Sequence, residues 1–245
     1  MKNISKLSIV IPVFNEVNTI RLLLERVDNA DIGGIKKEII VVNDGSKDKT
    51  LKELKKAKRD GVEFKLINHP KNLGKSAALR TGFRYITGEV TVIQDGDMEY
   101  DPNDFKKMIK RMKSPKVRVV YGSRRLEKKN IQYSGFSFFI GGLILTYMVN
   151  ILYRGNITDE PTCYKMFDTT LLQKLKLQSQ RFEFCPEVTA KILRLGEKIY
   201  EVPISYNPRH ANQGKKIKAR DFFEAVWVLV KYRFYFKSLI SEGTK

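Results

Sequence analysis

Apolar and polar positions along the first half of the chain switch repeatedly between two periods. Short runs rich in β-branched residues at 7–13, 38–42, 62–67, 90–94 and 117–121 have the length and continuity of strands buried on both faces. Between them, Ile20, Leu23, Leu24 and Val27 recur at helical spacing. Helical patterns also cover 50–59 and 76–86, and another helix is expected after Asp101-Pro102. Alternation of this kind predicts an α/β fold: a Rossmann-like, mainly parallel, doubly wound sheet with helices on both faces. Ligands of such sheets gather outside the carboxyl ends of the strands. The polar clusters at Asn15-Glu16, 44–48 and 95–99 all fall at those ends.

The pattern changes after Tyr121. A basic loop, GSRRLEKKN, precedes 24 residues without a charge, 130–153, flanked by Lys128, Lys129 and Arg154. That length could span a bilayer, but its glycines, Ser134, Ser137, Thr146 and Asn150 weaken it as a span. A helix lying in the membrane interface, or packed at the site, is the expectation. A second stretch, FFEAVWVLVKYRFYF at 222–236, follows Lys215, Lys216, Lys218 and Arg220. It reads either as a membrane-surface helix or as a docking helix turning Phe223, Val226, Trp227 and Val230 to the core.

Composition narrows this little. The 42% hydrophobic and 30% charged fractions are those of a folded soluble protein. The net charge of +19 favours polyanionic partners, or reflects a solubilising surface of lysines such as Lys52, Lys55, Lys56 and Lys58. Nothing at the start resembles a signal peptide. Cys163 and Cys185 form no CxxC pair, so a reducing compartment is expected and no redox role for Cys163. His69 and His210 match no metal-ligand spacing and are expected to be solvated loop residues.

The chemistry concentrates in VTVIQDGDMEYDP, residues 90–102, where an apolar run ends in Asp95 and Asp97. Residues i and i+2 of an extended segment point the same way, so the two carboxylates would leave the strand side by side and need a counter-cation. Hard oxygen ligands suit Mg²⁺ or Mn²⁺, ions commonly shared with a phosphate. The plain alternative is an acidic turn in which Gly96 supplies a positive φ.

The series IPVFNE (11–16), NDGSKD (43–48), NLGKSAALRTGF (72–83) and IQDGDMEYDP (93–102) resembles the inverting family 2 glycosyltransferases with a GT-A fold. The likeness is to the dolichol-phosphate mannose synthase and polyprenyl-phosphate glycosyltransferase branch. It continues through YGSR (121–124), DEPTCYKMF (159–167) and the stretch 182–217, in order and over nearly the whole chain. The resemblance implies one continuous catalytic domain. Residues 1–125 would be its nucleotide-sugar-binding half. Residues 126–245 would be its acceptor half, with interfacial helices at about 134–153 and 219–236. Pro12, Phe14 and Glu16 would line the nucleotide pocket, with Asp44 reading the base or ribose. Asp95, Asp97 and Glu99 would hold Mg²⁺ or Mn²⁺. Arg124, Arg209 and Lys216 would clamp phosphates, and Asp159 and Thr162 would stand near the acceptor. Asp97, Arg124 and Arg209 would carry the catalysis. DGD replaces the usual DAD, Glu99 stands where glutamine is common, and Cys163 replaces the usual glycine or serine.

The implied reaction moves a hexose from a nucleotide sugar to polyprenyl or dolichyl phosphate, peripherally at the cytoplasmic face of a membrane. GDP-mannose is the favoured donor, with UDP-glucose or UDP-GlcNAc as alternatives. A phosphomonoester arrives ionised, its second pKa being ~6, so no catalytic base is assigned. Glu183 and Glu187 are spare carboxylates, expected to orient the arginines or cap the helix near Pro186. Membrane retention is expected from the interfacial segments, the lipid acceptor or an anchoring partner protein. The competing readings are transfer to a glycan or protein hydroxyl, and a non-enzymatic basic module on membrane or nucleic acid. The acidic cluster argues against nucleic acid, because it would repel a phosphate backbone.

Overall fold

The computed structural model describes residues 1–127, 135–209 and 219–235. In chain order the first half runs β1 (Lys6–Val13), α1 (Ile20–Asn29), β2 (Lys36–Asn43), α2 (Thr50–Arg59), β3 (Lys65–Asn68), α3 (Lys75–Gly82) and β4 (Val90–Ile93). A 3₁₀ turn, Pro102–Asp104, leads into α4 (Phe105–Met112) and β5 (Val119–Ser123). Then come α5 (Phe136–Tyr153), β6 (Lys165–Asp168), α6 (Thr169–Lys174), α7 (Phe184–Arg194), β7 (Ile199–Pro203) and α8 (Ala219–Phe234).

The strands form a seven-stranded sheet in the order β3-β2-β1-β4-β6-β5-β7. The first four are parallel, as the doubly buried runs of β1, β2 and β4 predict, with β3 a half-buried edge strand. Successive side chains of β1 point to opposite faces. Leu7, Ile9, Ile11 and Val13 join the core beneath α1, α2 and α4, whereas Val10 joins the core beneath α3, α5, α7 and α8. Each such fully buried aliphatic side chain contributes roughly 1.5–3 kcal/mol of transfer free energy, so both layers are firmly attached.

The arrangement beyond β4 lies outside what periodicity predicts. β5 does not follow β4 in the sheet, because β6 is inserted between them, antiparallel to both. Its four residues, KMFD, are too short for the pattern to register. β7 then pairs parallel with β5. One sheet thus draws strands from both sides of residue 125.

The stretch expected at 134–153 is helix α5, long and apolar enough to cross a membrane by length and composition. It packs on α7 and α8 through Leu145, Val149 and Tyr153, while Phe136, Tyr147 and Ile151 point outward. On α8 the buried face is Ala225, Leu229 and Tyr232. The docking register proposed from sequence is therefore corrected. Phe223 and Trp227 are exposed, and Val226 and Val230 are only half-buried. Leu229 and Tyr232, one helical turn apart, reach the sheet-side core instead.

Candidate active site

Parallel strands deliver their carboxyl ends to one edge, where β1, β2, β4 and β5 finish at Val13, Asn43, Ile93 and Ser123. Because β6 runs the other way, the residues just before it, 159–164, reach that same edge. Beyond β7, the chain at 206–209 lies along 99–100. Tyr206 bridges to Tyr100, and the Asn207 N–H donates to the Glu99 carbonyl. Gly96 has no positive φ. Its service is close approach, since a Cβ there would meet the Pro12 carbonyl oxygen at 3.2 Å. At Gly74 (φ 97°) a side chain would meet the Gln180 carbonyl at 2.4 Å, so only glycine lets α3 start there and present Lys75.

At this edge Asp95 lies 2.5 Å from Lys75, whose ammonium also donates to Cys163 Sγ at 3.1 Å. Asp97 lies 2.6 Å from Arg209. The same guanidinium grips Glu16 with both terminal nitrogens, at 3.0 and 3.1 Å. Burial is the largest influence on Asp95 and opposes its ionisation, but Lys75, Cys163 and Arg209 together outweigh it and the carboxyl sits below its ordinary range. Asp97 goes the other way. Burial pushes it up to about 6, helped by the negative charges of Asp95 and Glu99 and resisted by Arg209.

Four carboxylates here, Glu16, Asp95, Asp97 and Glu99, face two described cations, Lys75 and Arg209. Among the described residues no three acidic, histidine or cysteine side chains converge to cage an ion unaided. That donor set suits Mg²⁺ or Mn²⁺, which usually take one or two carboxylates and complete their shell with phosphate oxygens and water. Asp95 and Asp97 fit such an ion.

Several residues named from sequence are here, but differently engaged. Glu99 serves as a clasp, its carboxylate accepting from the Tyr206 hydroxyl and the Arg209 N–H, which departs from a ligand role. Arg124 is locked in a bidentate pair with Asp159, at 2.7 Å for each bond, and its guanidinium lies over Tyr206. Asp159 is thus the arginine's partner, and the Arg124 charge is already offset. Thr162 is buried, and its hydroxyl has no hydrogen-bond partner among the described residues. Arg209 is drawn into the acid cluster and is not held open for a phosphate. Pro12 is buried at the end of β1 and Phe14 half-buried just beyond it.

Asp44 departs furthest from expectation. Its carboxylate accepts from the N–H groups of Leu73 and Gly74 at 2.9 and 2.8 Å and pairs with His69 Nδ1 at 2.7 Å. It therefore organises the loop before α3. His69 is correspondingly no solvated loop residue, since its other nitrogen contacts Thr81 Oγ1 at 2.9 Å. Glu187 neither orients an arginine nor caps a helix. It is fully buried, accepting from Lys191, Tyr232 and the N–H groups of Gln178 and Ser179. Glu183 accepts from the Arg181 N–H. Lys215, Lys216 and His210 lie outside the described residues. The role of Lys75 was not read from sequence, although its signal was present: a lysine directly after the glycine that opens α3.

The fold is matched closely by glucosyl-3-phosphoglycerate synthase from Mycobacterium tuberculosis in complex with UDP. The TM-score is 0.74 at 16% identity, over 96% of this chain and 82% of that one. A structure of the same enzyme with Mn²⁺, UDP and phosphoglyceric acid gives 0.72. The mainly parallel seven-stranded sheet with its helices is thus the GT-A fold of these glycosyltransferases. Among curated relatives, dodecaprenyl-phosphate galacturonate synthase of Rhizobium johnstonii is 26% identical over 89% of this chain. Dolichyl-phosphate beta-glucosyltransferase ALG5A of Trichomonas vaginalis is 27% identical over 92% of it, and covers 72% of the relative. Dolichol-phosphate mannosyltransferase of Pyrococcus furiosus is 27% identical over 89%. The chain spans only 63% of the Rhizobium protein and 61% of the Pyrococcus protein. The sequence profile of glycosyl transferase family 2 matches residues 8–176, which carry the parallel strands other than β7, the acid pair and the arginine–aspartate lock, and this chain is a glycosyltransferase of that family.

Proposed function

We propose that this glycosyltransferase moves a hexose from a nucleotide sugar to the phosphate of a polyprenyl or dolichyl lipid at the cytoplasmic surface of a membrane. The observation that carries this reading is the acid pair beyond β4, Asp95 and Asp97, with Glu99 crowding Asp97 at the ligand-binding edge of the sheet. Asp95 and Asp97 would hold Mg²⁺ or Mn²⁺ there, and such an ion, when bound, offsets charge on the departing nucleoside diphosphate. Pro12 and Phe14 would line the nucleotide pocket, whose floor Asp44 shapes through the 72–74 loop. Arg209 exchanges its carboxylate partners for phosphate oxygens as the donor enters, a swap that its planar fork favours. Arg124, aimed by Asp159, orients the acceptor phosphate, and Lys216 adds charge to the same task. The acceptor's second ionisation lies near pH ~6, so it needs guidance rather than a base. Glu187 could not act as one, being sealed beneath α8.

The names of the relatives cover galacturonate, glucose and mannose transfer, all on prenyl phosphates. GDP-mannose remains the leading donor, ahead of UDP-glucose and UDP-GlcNAc. The outward aromatic residues of α5 and α8 are the membrane-facing surface, helped or not by an anchoring partner protein. The test incubates the protein with polyprenyl phosphate, Mn²⁺ and a panel of labelled nucleotide sugars. Label extracted into the organic phase, and lost on chelation with EDTA, is expected. Label passing instead to water-soluble glycan or protein would overturn the acceptor assignment.

A further inference from the structure

We infer that Thr146, Asn150 and Glu201 are positioning residues for sugar transfer, holding the 157–160 segment so that Asp159 aims Arg124. That segment is neither helix nor strand, so its backbone N–H groups have no ladder to satisfy them. Side chains from other elements take all four in turn. Asn150 Oδ1 accepts from the Ile157 N–H at 3.1 Å, and Thr146 Oγ1 from the Glu160 N–H at 3.0 Å. Between them the Glu201 carboxylate, on β7, accepts from the N–H groups of Thr158 at 2.8 Å and Asp159 at 3.1 Å.

Thr146 and Asn150 are the polar residues that weaken α5 as a membrane span, and here they have a use. They stand four apart, on one face of the helix. Asn150 also donates its amide to the Ile157 carbonyl at 2.8 Å, so one side chain grips both backbone polar groups of that residue. The Thr146 hydroxyl donates to the Gly142 carbonyl at 2.8 Å, which leaves its oxygen turned to accept from Glu160. Gly142 extends the same row towards the segment. A Cβ there would meet Arg125 Nη2 at 2.9 Å and Pro161 Cγ at 3.2 Å, so α5 lies directly against this stretch of chain.

The consequence falls on Arg124. The Asp159 carboxylate accepts from its backbone N–H at 2.9 Å and from Nε and Nη2 at 2.7 Å each. Such a fork has little freedom of its own, so the guanidinium follows wherever the 157–160 backbone places Asp159. The effect on transfer rests on the role proposed for Arg124 at the acceptor phosphate, whereas the hold on the segment does not.

The test compares the full chain with Thr146→Val and Asn150→Leu, which keep the size of the side chain and lose its polar atoms. The kcat/KM for polyprenyl phosphate should fall on the order of tenfold, as for a displaced orienting group. The KM for the nucleotide sugar should stay unchanged, a split that general destabilisation does not produce. Thr146→Ser, which keeps the oxygen, should recover most of the loss. Hydrogen–deuterium exchange read by mass spectrometry follows the segment without any substrate. A peptide covering 157–160 should exchange faster in both variants, and one covering β1 should not. If one variant fails to fold, the other carries both readouts. Unchanged exchange in the segment would overturn the hold, and equal losses for both substrates would overturn the positioning role. Wild-type protein that labels no lipid would strike the acceptor reading instead, and the exchange result would still decide the hold.

Discussion

Glu187 on α7 and Asp97 beyond β4 are both shielded acids with a basic partner, yet their surroundings drive them in opposite directions. Glu187 receives four donors from Lys191, Tyr232 and two backbone N–H groups, and these outweigh burial and hold its carboxyl below the ordinary range. Asp97 shares its one arginine with Glu16, faces Asp95 and Glu99, and is pushed up to about 6. A carboxylate whose lone pairs are all answered by its own fold is a structural rivet. One crowded by its own kind at the edge of a parallel sheet is poised for a cation from outside.

Breaking each acid should separate the two roles. Asp97→Ala is expected to lower sugar transfer by roughly 10³-fold, in line with loss of a major electrostatic group, while the unfolding midpoint stays near wild type. Steady-state assay beside circular dichroism melting checks both halves. Glu187→Ala should do the reverse. It leaves the Lys191 ammonium buried without its counter-charge, at about 3–5 kcal/mol of stability, read by urea denaturation.

A third acid sharpens the contrast. Glu160 is fully buried, one of its oxygens has no partner among the described residues, and burial raises its carboxyl to about 7 from 4.5. Between those two values the unfolded chain loses this proton while the folded chain keeps it. Stability therefore falls as pH rises through that window. Glu160→Gln should flatten the fall and add on the order of 1–3 kcal/mol at pH ~8, seen as a raised melting temperature. The smallest effect belongs to the outer face. Trp227→Ala on α8, where the side chain is 58% exposed, should weaken sedimentation with anionic vesicles by about 1–2 kcal/mol, with stability in solution unchanged.

Much of the first half of the fold was legible because β1, the end of β2, and β4 are doubly buried runs, and α1, α2 and α4 each keep an apolar stripe, whereas β3 is only half-buried. Thr50–Arg59 is helix α2 at the bounds its pattern suggested, and the polar clusters sit at the strand ends. The inserted antiparallel β6 was not legible, because four residues cannot display a period. Nor was the engagement of Asp44, Glu99 and Arg124. Residue type announces that a carboxylate or guanidinium is available, whereas its partners come from loops that are far away in sequence. His69 illustrates this, since a lone histidine reads as solvated until Asp44 and Thr81 close around it.

The chain's own order of residues therefore determined the alternation of strand and helix, the acids that end β4, and the uncharged stretch that becomes α5, since each depends on neighbours within a few positions. Only the folded arrangement decided which charges neutralise which, and that Arg209 enters the acid cluster. Those outcomes depend on distances and burial between segments up to 193 positions apart, and local pattern carries no information about them.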